Sequence, residues 1–440
     1  MSWEKVKLGE FLKNREGRYK PNDKAIQGLK RIDKINFSGT IFLSDKPSNT
    51  DMILVKKGDL VISGINVEKG AMNIYKGDED VVATIHYSSY EFDKKQIDID
   101  FLTNFLKSLE FKKALKEQVP GGMKTEIKPK HILPLLVDIP TDIKEQKKIV
   151  KRLTENNNII GKNAEELTHQ LDLIKQLRQS FLREAMQGKL GKAVRSNAVE
   201  TQQTGQQLLA KIKAEKAQLI TDKKLKKEKP LPVISEEEIP FEIPEHWAWC
   251  RLGEICTKIG SGSTPKGSNY AGKGKPFFRS QNIHDNGLVY NDIKYVSDEI
   301  QKQMNGTIVL ADDILLNITG GSMGRCALVP TDFQEGNVSQ HVCIIRPLLS
   351  NNIFLHKLVL SPYFQKLIFS STTGAGREGL PKYNLEKFII PLPPLHEQEQ
   401  IVTKLEELMT FCDGLEQSIN ESQGYNKMLL QQVLREALQG

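Results

Sequence analysis

No Cys-x-x-Cys pair occurs among the five cysteines, Cys250, Cys256, Cys326, Cys343 and Cys412. An odd, scattered set of thiols supplies neither a disulfide framework nor a zinc site, and it fits a reducing cytoplasm. No run approaches the ~18 apolar residues that span a bilayer. Met1-Ser2-Trp3-Glu4-Lys5 has no apolar segment of the signal-peptide kind, so neither export nor membrane insertion is expected. An amino-methyltransferase needs Asn, Asp or Ser ahead of Pro-Pro-aromatic, whereas Pro393-Pro394 stands between Leu392 and Leu395. A phosphate-cradling loop needs G-x-x-x-x-G-K followed by a hydroxyl, and the nearest run, Gly267 to Lys273, continues into Gly274. His86, His131, His284 and His341 lack metal-ligand spacing. Asp142, Glu145 and Lys147 have the residue types of a magnesium site, but the second copy of that segment has Pro394, Glu397 and Glu399, and Asp142 suits a helix cap better. Neither catalysis nor a metal centre is expected of this chain.

What is present is a globular composition, 39% apolar and 27% charged over 440 residues, enough for two or three domains. The net charge of +7 permits a polyanionic partner without requiring one. The organising feature is a repeat. Glu145-Gln146-x-x-Ile149-Val150-x-x-Leu153 returns at Glu397, and Leu182-Arg183-Glu184-Ala185-x-Gln187-Gly188 returns at Leu434, both 252 residues later. Between the two matches the length is kept while the sequence is not, as in a rigid spacer. Weaker echoes join Leu8-Gly9-Glu10 to Leu252-Gly253-Glu254, Trp3 to Trp247, Pro129-Lys130 to Pro381-Lys382, and Gly58-Asp59-Leu60-Val61 to Asp312-Asp313-Ile314-Leu315.

Each spacer reads as a long helix. From Glu145 to Gln187 there is no proline, and Leu153, Ile160, Leu167, Ile174 and Phe181 recur every seventh residue, with Ala164 and Leu171 between them. The second copy steps by fours and threes through Ile401, Leu405, Leu408, Cys412, Leu415, Ile419, Ser422, Asn426, Leu429 and Val433. Asp142 with Glu145 forms a capping-box start, and Pro393-Pro394 marks the other start. Helices of some forty-five residues are roughly 65–70 Å long. An amphipathic stripe of that length needs a partner, and the expected partner is the twin helix, running antiparallel in a coiled coil that relates the halves by a pseudo-two-fold. Leu153, Ile160, Leu167, Ile174, Leu405, Cys412, Leu415, Ile419 and Leu429 are the pairing residues expected.

The expected division is a first globular domain over 1–140, its helix over 141–190, a connector over 191–240, a second domain over 241–392 and its helix over 393–440. The connector is Gln-rich, then carries Leu208, Leu209, Ile212 and Leu219 at helical spacing, then the lysine run from Lys223 to Lys229. Both domains read as α/β or α+β, with strands at 52–55, 60–63, 81–85, 307–310, 314–318 and 342–345, and helices over 101–118 and 353–369. In the second domain a Gly/Ser loop at 260–268 precedes Lys273, Lys275, Arg279, Gln281 and Asn282, residue types suited to phosphate and base-edge contact. Arg15, Arg18, Tyr19 and Lys20 hold the matching place in the first domain, and Lys124 and Arg377 lie in matching glycine-rich turns. Unlike loops on related frames imply two different half-site sequences in duplex DNA. An ordinary polar surface loop stays open for each of these residues singly.

The Pro-Leu-Pro-Pro-Leu-x-Glu-Gln-x-x-Ile-Val segment at 391–402, the two Leu-Arg-Glu-Ala-x-Gln-Gly segments, and the lead-in from Ile239 through Trp247 and Trp249 to Gly253 resemble the specificity subunit of type I restriction-modification systems. The first domain departs from the pattern, having Thr141-Asp142 in place of Pro-Pro. The resemblance implies a non-catalytic, cytoplasmic subunit with two target-recognition domains that read an interrupted DNA site. It also implies methyltransferase subunits docked around the helices and restriction subunits beyond them, with S-adenosylmethionine, ATP and magnesium bound by those partners. Two other readings stay open: a specificity polypeptide serving a fused nuclease-methyltransferase, and a coiled-coil scaffold that does not bind DNA.

Overall fold

The computed structural model describes residues 3–119, 126–190, 203–265, 267, 270–372 and 379–438. The chain forms two compact units, Met1–His169 with Ile419–Gly440, and Gln170–Ser418. Each unit takes in the start of its own long helix and the end of the other.

In the first unit the strand Leu60–Ser63 is buried on both faces, which is why it reads as an apolar run instead of an alternation. Leu60 and Ile62 face a core shared with Phe101, Phe105 and Phe111, and Val61 faces a second core with Ile32, Val55 and Val81. Three layers result. Helices Ile99–Phe105 and Leu109–Gln118 cover an antiparallel sheet ordered Leu12–Asn14, Tyr87–Phe92, Leu60–Ser63, Met72–Ile74, and behind it lies a sheet ordered Ile41–Ser44, Arg31–Ile35, Val81–Thr84, Met52–Val55. Trp3–Lys7 pairs separately with Leu136–Pro140.

The second unit repeats this order. Cys256–Ser261, Val342–Pro347, Ile314–Asn317 and Cys326–Leu328 form one sheet, and Lys294–Val296, Lys275–Phe278, Gly336–Val338 and Ile308–Val309 form the other. Ala248–Arg251 pairs with Ile389–Leu392. Ile314 and Leu316 face the helices, while Leu315 faces Phe278 and Ile344. The single parallel pairing within each back sheet also recurs. Sequence identity between the units has largely gone, but the strand order has not.

The helices expected over 101–118 and 353–369 are each two. Ser108 accepts from the Phe111 amide and starts a new helix there. Ser361 does the same for Phe364 ahead of Pro362, splitting Asn352–Leu360 from Pro362–Ser370. The long helices run Ile143–Met186 and Leu395–Leu438, 44 residues each. Asp142 caps the first through the Lys144 amide, but the expected capping box does not close, because Glu145 turns forward to Lys148.

Within the first unit Ile149 and Leu153 of the first helix and Val433 and Ala437 of the second meet the same core, and Asn426 donates to the Ile160 carbonyl (3.0 Å). Within the second unit Leu182, Ala185 and Met186 share a core with Ile401, Val402 and Leu405, and Arg178 bonds to Asp413 (2.6 Å) and Glu416 (2.8 Å). Leu153, Ile160, Ile174, Leu405 and Cys412 are buried, while Leu167 and Ile419 are half-buried. Leu415 and Leu429 are exposed, contrary to a continuous seam. The reason is polar: Arg178 stands at a heptad core position of the first helix, and Asn426 fills another on the second. Leu429 instead lines an open groove of about 730 Å³ with Leu167, Tyr425 and Met428.

The connector is more ordered in its middle than a spacer requires. Gly205–Thr221 is helical, capped by Thr204, and buries Leu208, Leu209 and Ile212 in the second unit's core.

Candidate nucleic-acid interface

The Gly-Asp-Leu-Val echo has a shared function. Asp59 is buried at the head of its strand and accepts Arg15 Nε and Nη2 (2.6 and 2.8 Å), Ser89 Oγ and the Lys56 amide. Asp313 in the second unit accepts Arg346 Nε and Nη2 (2.6 and 2.7 Å) and the Leu310 amide. The same carboxylate is neutralised by bidentate arginine in both units, but Arg15 follows the strand Leu12–Asn14 while Arg346 lies within Val342–Pro347, so sequence alignment does not find it. Arg15, which also meets Glu91 at 2.9 Å, is thus committed to a buried acid, and its bond to Asp59 raises its pKa. Its role in the first unit is to hold the loop.

Beyond that anchor, Arg18 is exposed, Lys20 reaches Asp51 (3.2 Å), and Tyr19 pairs its backbone with Met52. Arg15 and Arg18 border a cleft of about 300 Å³ whose far wall is His86, Glu126 and Lys128. His86 Nδ1 lies 2.9 Å from Glu126, and that bond holds the Glu126 carboxyl below its ordinary range. The sequence does not point to this wall, since His86 lacks metal-ligand spacing and Lys128 carries no pattern of its own.

In the second unit Lys273 is exposed and Lys275 is paired with Glu335 (2.9 Å). Arg279 and Gln281 converge on Asp292: Arg279 Nη2 donates to the Asp292 carbonyl (2.6 Å) and carboxylate (2.9 Å), and Gln281 Nε2 to the same carboxylate oxygen (3.1 Å). Lys294 adds a third contact at 3.2 Å. Hydrogen bonds from Arg279, Lys294 and Gln281 hold the Asp292 carboxyl down at about 2. Asp292 sits at φ 53°, a left-handed turn that aspartate tolerates and most residues do not. That Asn-Asp turn was the sequence signal available for it. The expectation that Asn282 offers its amide to a ligand is revised. Asn282 is fully buried, accepts from the Arg279 amide, and donates to the Val289 and Asn291 carbonyls, so it shapes the loop from beneath. A side chain on Gly262 would strike the Val338 carbonyl, which fixes glycine where the Gly/Ser loop crosses that strand. Lys124 and Arg377 lie outside the described residues.

The helix starts are held by the repeated Glu-Gln pair. Gln146 accepts from the Asp98 amide (2.6 Å) and donates to the Pro140 carbonyl (2.8 Å); Gln398 accepts from the Asn351 amide (2.9 Å) and donates to the Pro393 carbonyl (2.9 Å). Each glutamine ties a long helix to the cap of its domain's helical pair. Glu397 is buried and accepts Trp247 Nε1 (2.9 Å), with His246 Nε2 at 2.6 Å, whereas Glu145 meets only Lys148 among the described residues. No cluster of three metal-ligating side chains occurs among the described residues, and no described helix is long and apolar enough to cross a membrane.

Two units of one topology bear unlike cation- and amide-rich loops at matching places, so the fold is that of an internally duplicated protein. Residues 244–422 match the family described as Type I restriction modification DNA specificity domain, and the chain is similar to type I restriction enzyme specificity subunits. It is 28% identical over 273 residues to the EcoAI specificity subunit of Escherichia coli, covering 60% of this chain and 45% of that one. It is 32% identical over 272 residues to the EcoEI specificity subunit of Escherichia coli, covering 59% and 43%. The chain thus spans less than half the length of these two relatives. A longer match, 23% identical over 423 residues, covers 92% of this chain and 86% of the MjaVIII specificity subunit of Methanocaldococcus jannaschii. The fold is shared with the HsdS subunit from Thermoanaerobacter tengcongensis, at a TM-score of 0.55, 18% identity and coverage of 100% and 97%. It is shared also with a chain solved in work on complex assembly of the type I R-M system, at 0.57, 18%, 100% and 98%.

Proposed function

We propose that this chain is the sequence-specific DNA-reading subunit of a type I restriction-modification complex, non-catalytic and cytoplasmic. Each unit reads one half of an interrupted duplex site. The observation that carries this reading is the repeated strand order with different loops at the same place: one frame, two chemistries. In the second unit Arg279, Gln281, Lys273 and Lys275 contact DNA, with Arg279 and Gln281 the base readers. In the first, Arg18, Lys20 and Tyr19 do so, on a loop held by Arg15. The matching glycine-rich sequences add Lys124 and Arg377 as phosphate contacts.

The two long helices pair antiparallel as a coiled coil, relate the halves by a pseudo-two-fold, and set the gap between half-sites. The Asn426–Ile160 contact in one unit and the Arg178–Asp413 contact in the other support that direction. Methyltransferase subunits dock on the helices and supply S-adenosylmethionine-dependent adenine methylation; restriction subunits supply ATP- and magnesium-dependent cleavage. Duplex binding by the purified complex, titrated with salt, tests the reading. Cognate affinity should fall steeply with ionic strength, and the chain alone should transfer no methyl groups. Methyl transfer by the single chain, or replacement of Arg279 and Gln281 without change in half-site choice, contradicts it.

A further inference from the structure

The internal repeat also identifies a surface that one unit covers and the other leaves open. In the second unit the connector helix lies over the Leu252-Gly253-Glu254 turn. Lys216 donates to the Gly253 carbonyl (2.7 Å), Lys213 pairs with Glu254 (2.7 Å), and Leu231 closes against Gly253. Leu208, Leu209 and Ile212 enter the core beside Trp247 and Ala248. A lysine-bearing amphipathic helix is thus an integral part of this corner.

The first unit builds the same corner from Leu8-Gly9-Glu10. Its strand pairs in the same way, the Leu8 amide bonds the Leu135 carbonyl as Leu252 bonds Phe388, and Glu10 accepts from the Lys7 amide as Glu254 accepts from Arg251. No described segment lies over it. In its place is a groove of about 610 Å³ whose lining includes Gly9 and four carboxylates, Glu10, Glu16, Glu91 and Asp93, against one lysine, Lys13. Glu91 is matched by Arg15, but Glu10 has no cationic partner among the described residues. Glu4 stands where the second unit has Ala248, and it is exposed where Ala248 is buried. The apolar residues that meet the connector helix in the second unit have half-buried counterparts here in Trp3 and Ala437.

We propose that the groove at Gly9 and Glu10 is a docking surface for a lysine-bearing amphipathic helix of another protein chain, seated as the connector helix sits on Gly253 and Glu254. The excess of carboxylates makes the occupant basic, and the geometry of the covered copy supplies its register. One lysine reaches the Gly9 carbonyl, and a second, one turn earlier, pairs with Glu10.

The test uses the full chain and, as probe, a fluorescent peptide of residues 204–233 of this sequence, followed by anisotropy. Saturable binding is expected. Glu10→Lys should weaken it by about tenfold or more, because a like charge replaces a partner, and Glu10→Gln, which keeps the hydrogen bond to the Lys7 amide, should weaken it less. A peptide carrying Lys213→Glu should regain affinity for the Glu10→Lys chain. No saturable binding to the unsubstituted chain overturns the proposal. Equal affinity for the unsubstituted and Glu10→Lys chains also overturns it, since the peptide is then bound elsewhere. Thermal unfolding of both variants, whose exposed side chain leaves the core untouched, confirms that they are folded.

Discussion

Arg279 and Asp292 form a closed clamp: one guanidinium nitrogen bonds both the carbonyl and the carboxylate of a residue held at positive φ. Gln281 and Lys294 share that carboxylate, so one acid fixes three side chains suited to DNA. Asp292→Ala is expected to loosen base choice in the second half-site by about 1–3 kcal/mol per affected position, leaving the first half-site unchanged, as read by selection of bound sequences. The sign with pH is definite. A depressed carboxyl contributes stability above its ordinary value of 3.8 and loses it as pH falls toward about 2. The clamp is therefore intact at neutral pH, and titrating the Asp292 carboxyl by NMR should find a midpoint well under that of an ordinary aspartate.

Gln146 and Gln398 are completely buried; Gln146 bonds backbone groups at Asp98 and Pro140, and Gln398 bonds the Asn351 amide, the Pro393 carbonyl and the Ser350 hydroxyl. Gln146→Ala or Gln398→Ala should each cost about 1–3 kcal/mol, because buried backbone donors lose their acceptor. Urea unfolding measures this; a loss near zero would mean that the motif is kept for something other than anchoring.

These glutamines also show how far the sequence carries the fold. The Glu-Gln repeat and the 252-residue offset make both long helices legible, because a 44-residue amphipathic segment leaves a strong periodic signal, although the first helix ends at Met186, four residues before the expected bound. Strands buried on both faces, such as Leu60–Ser63 and Ile314–Asn317, are legible as apolar runs. Their sheet order is not, since pairing is a long-range property. The breaks at Ser108 and Ser361 are missed because a capping hydroxyl inside an apolar run looks like a tolerated helix residue. At the candidate interface, residue type suggests Arg279 and Gln281, but only coordinates separate them from Asn282 beneath them. Arg15 is likewise withdrawn from the surface by Asp59, forty-four positions away.

Cys250, Cys256, Cys326 and Cys343 lie in the second unit's core, and burial pushes each thiol up, Cys343 to about 12. In the unfolded chain they ionise near the ordinary value of 9.0. Native stability that rests on the neutral thiols is therefore whole below 9.0 and declines as pH rises toward about 12. Denaturation midpoints followed between those limits should fall. Thiol reagents should label these four residues at the rate of unfolding; fast labelling of the folded chain would contradict their burial.

Tyr425 and Met428 are each 68% exposed on the groove that also holds Leu429. An apolar surface on an otherwise polar helix face marks a place for a partner. Tyr425→Lys with Met428→Glu is expected to weaken association with methyltransferase subunits by at least about 2 kcal/mol without lowering the thermal midpoint of the chain. Unchanged association in sedimentation velocity would place the partner elsewhere.

The reading of the helices as a ruler is tested most directly by mapping methylated adenines in cells that carry the complete system. Two chains are compared, the natural one and one with four residues added midway along each long helix. Four residues lengthen a helix by about 6 Å, against a rise of about 3.4 Å per base pair. The natural chain should give two unlike half-sites at one constant gap, and the lengthened chain should give the same half-sites with the gap wider by one or two base pairs. A gap that stays the same when the helices grow, or a single uninterrupted site, would contradict the account.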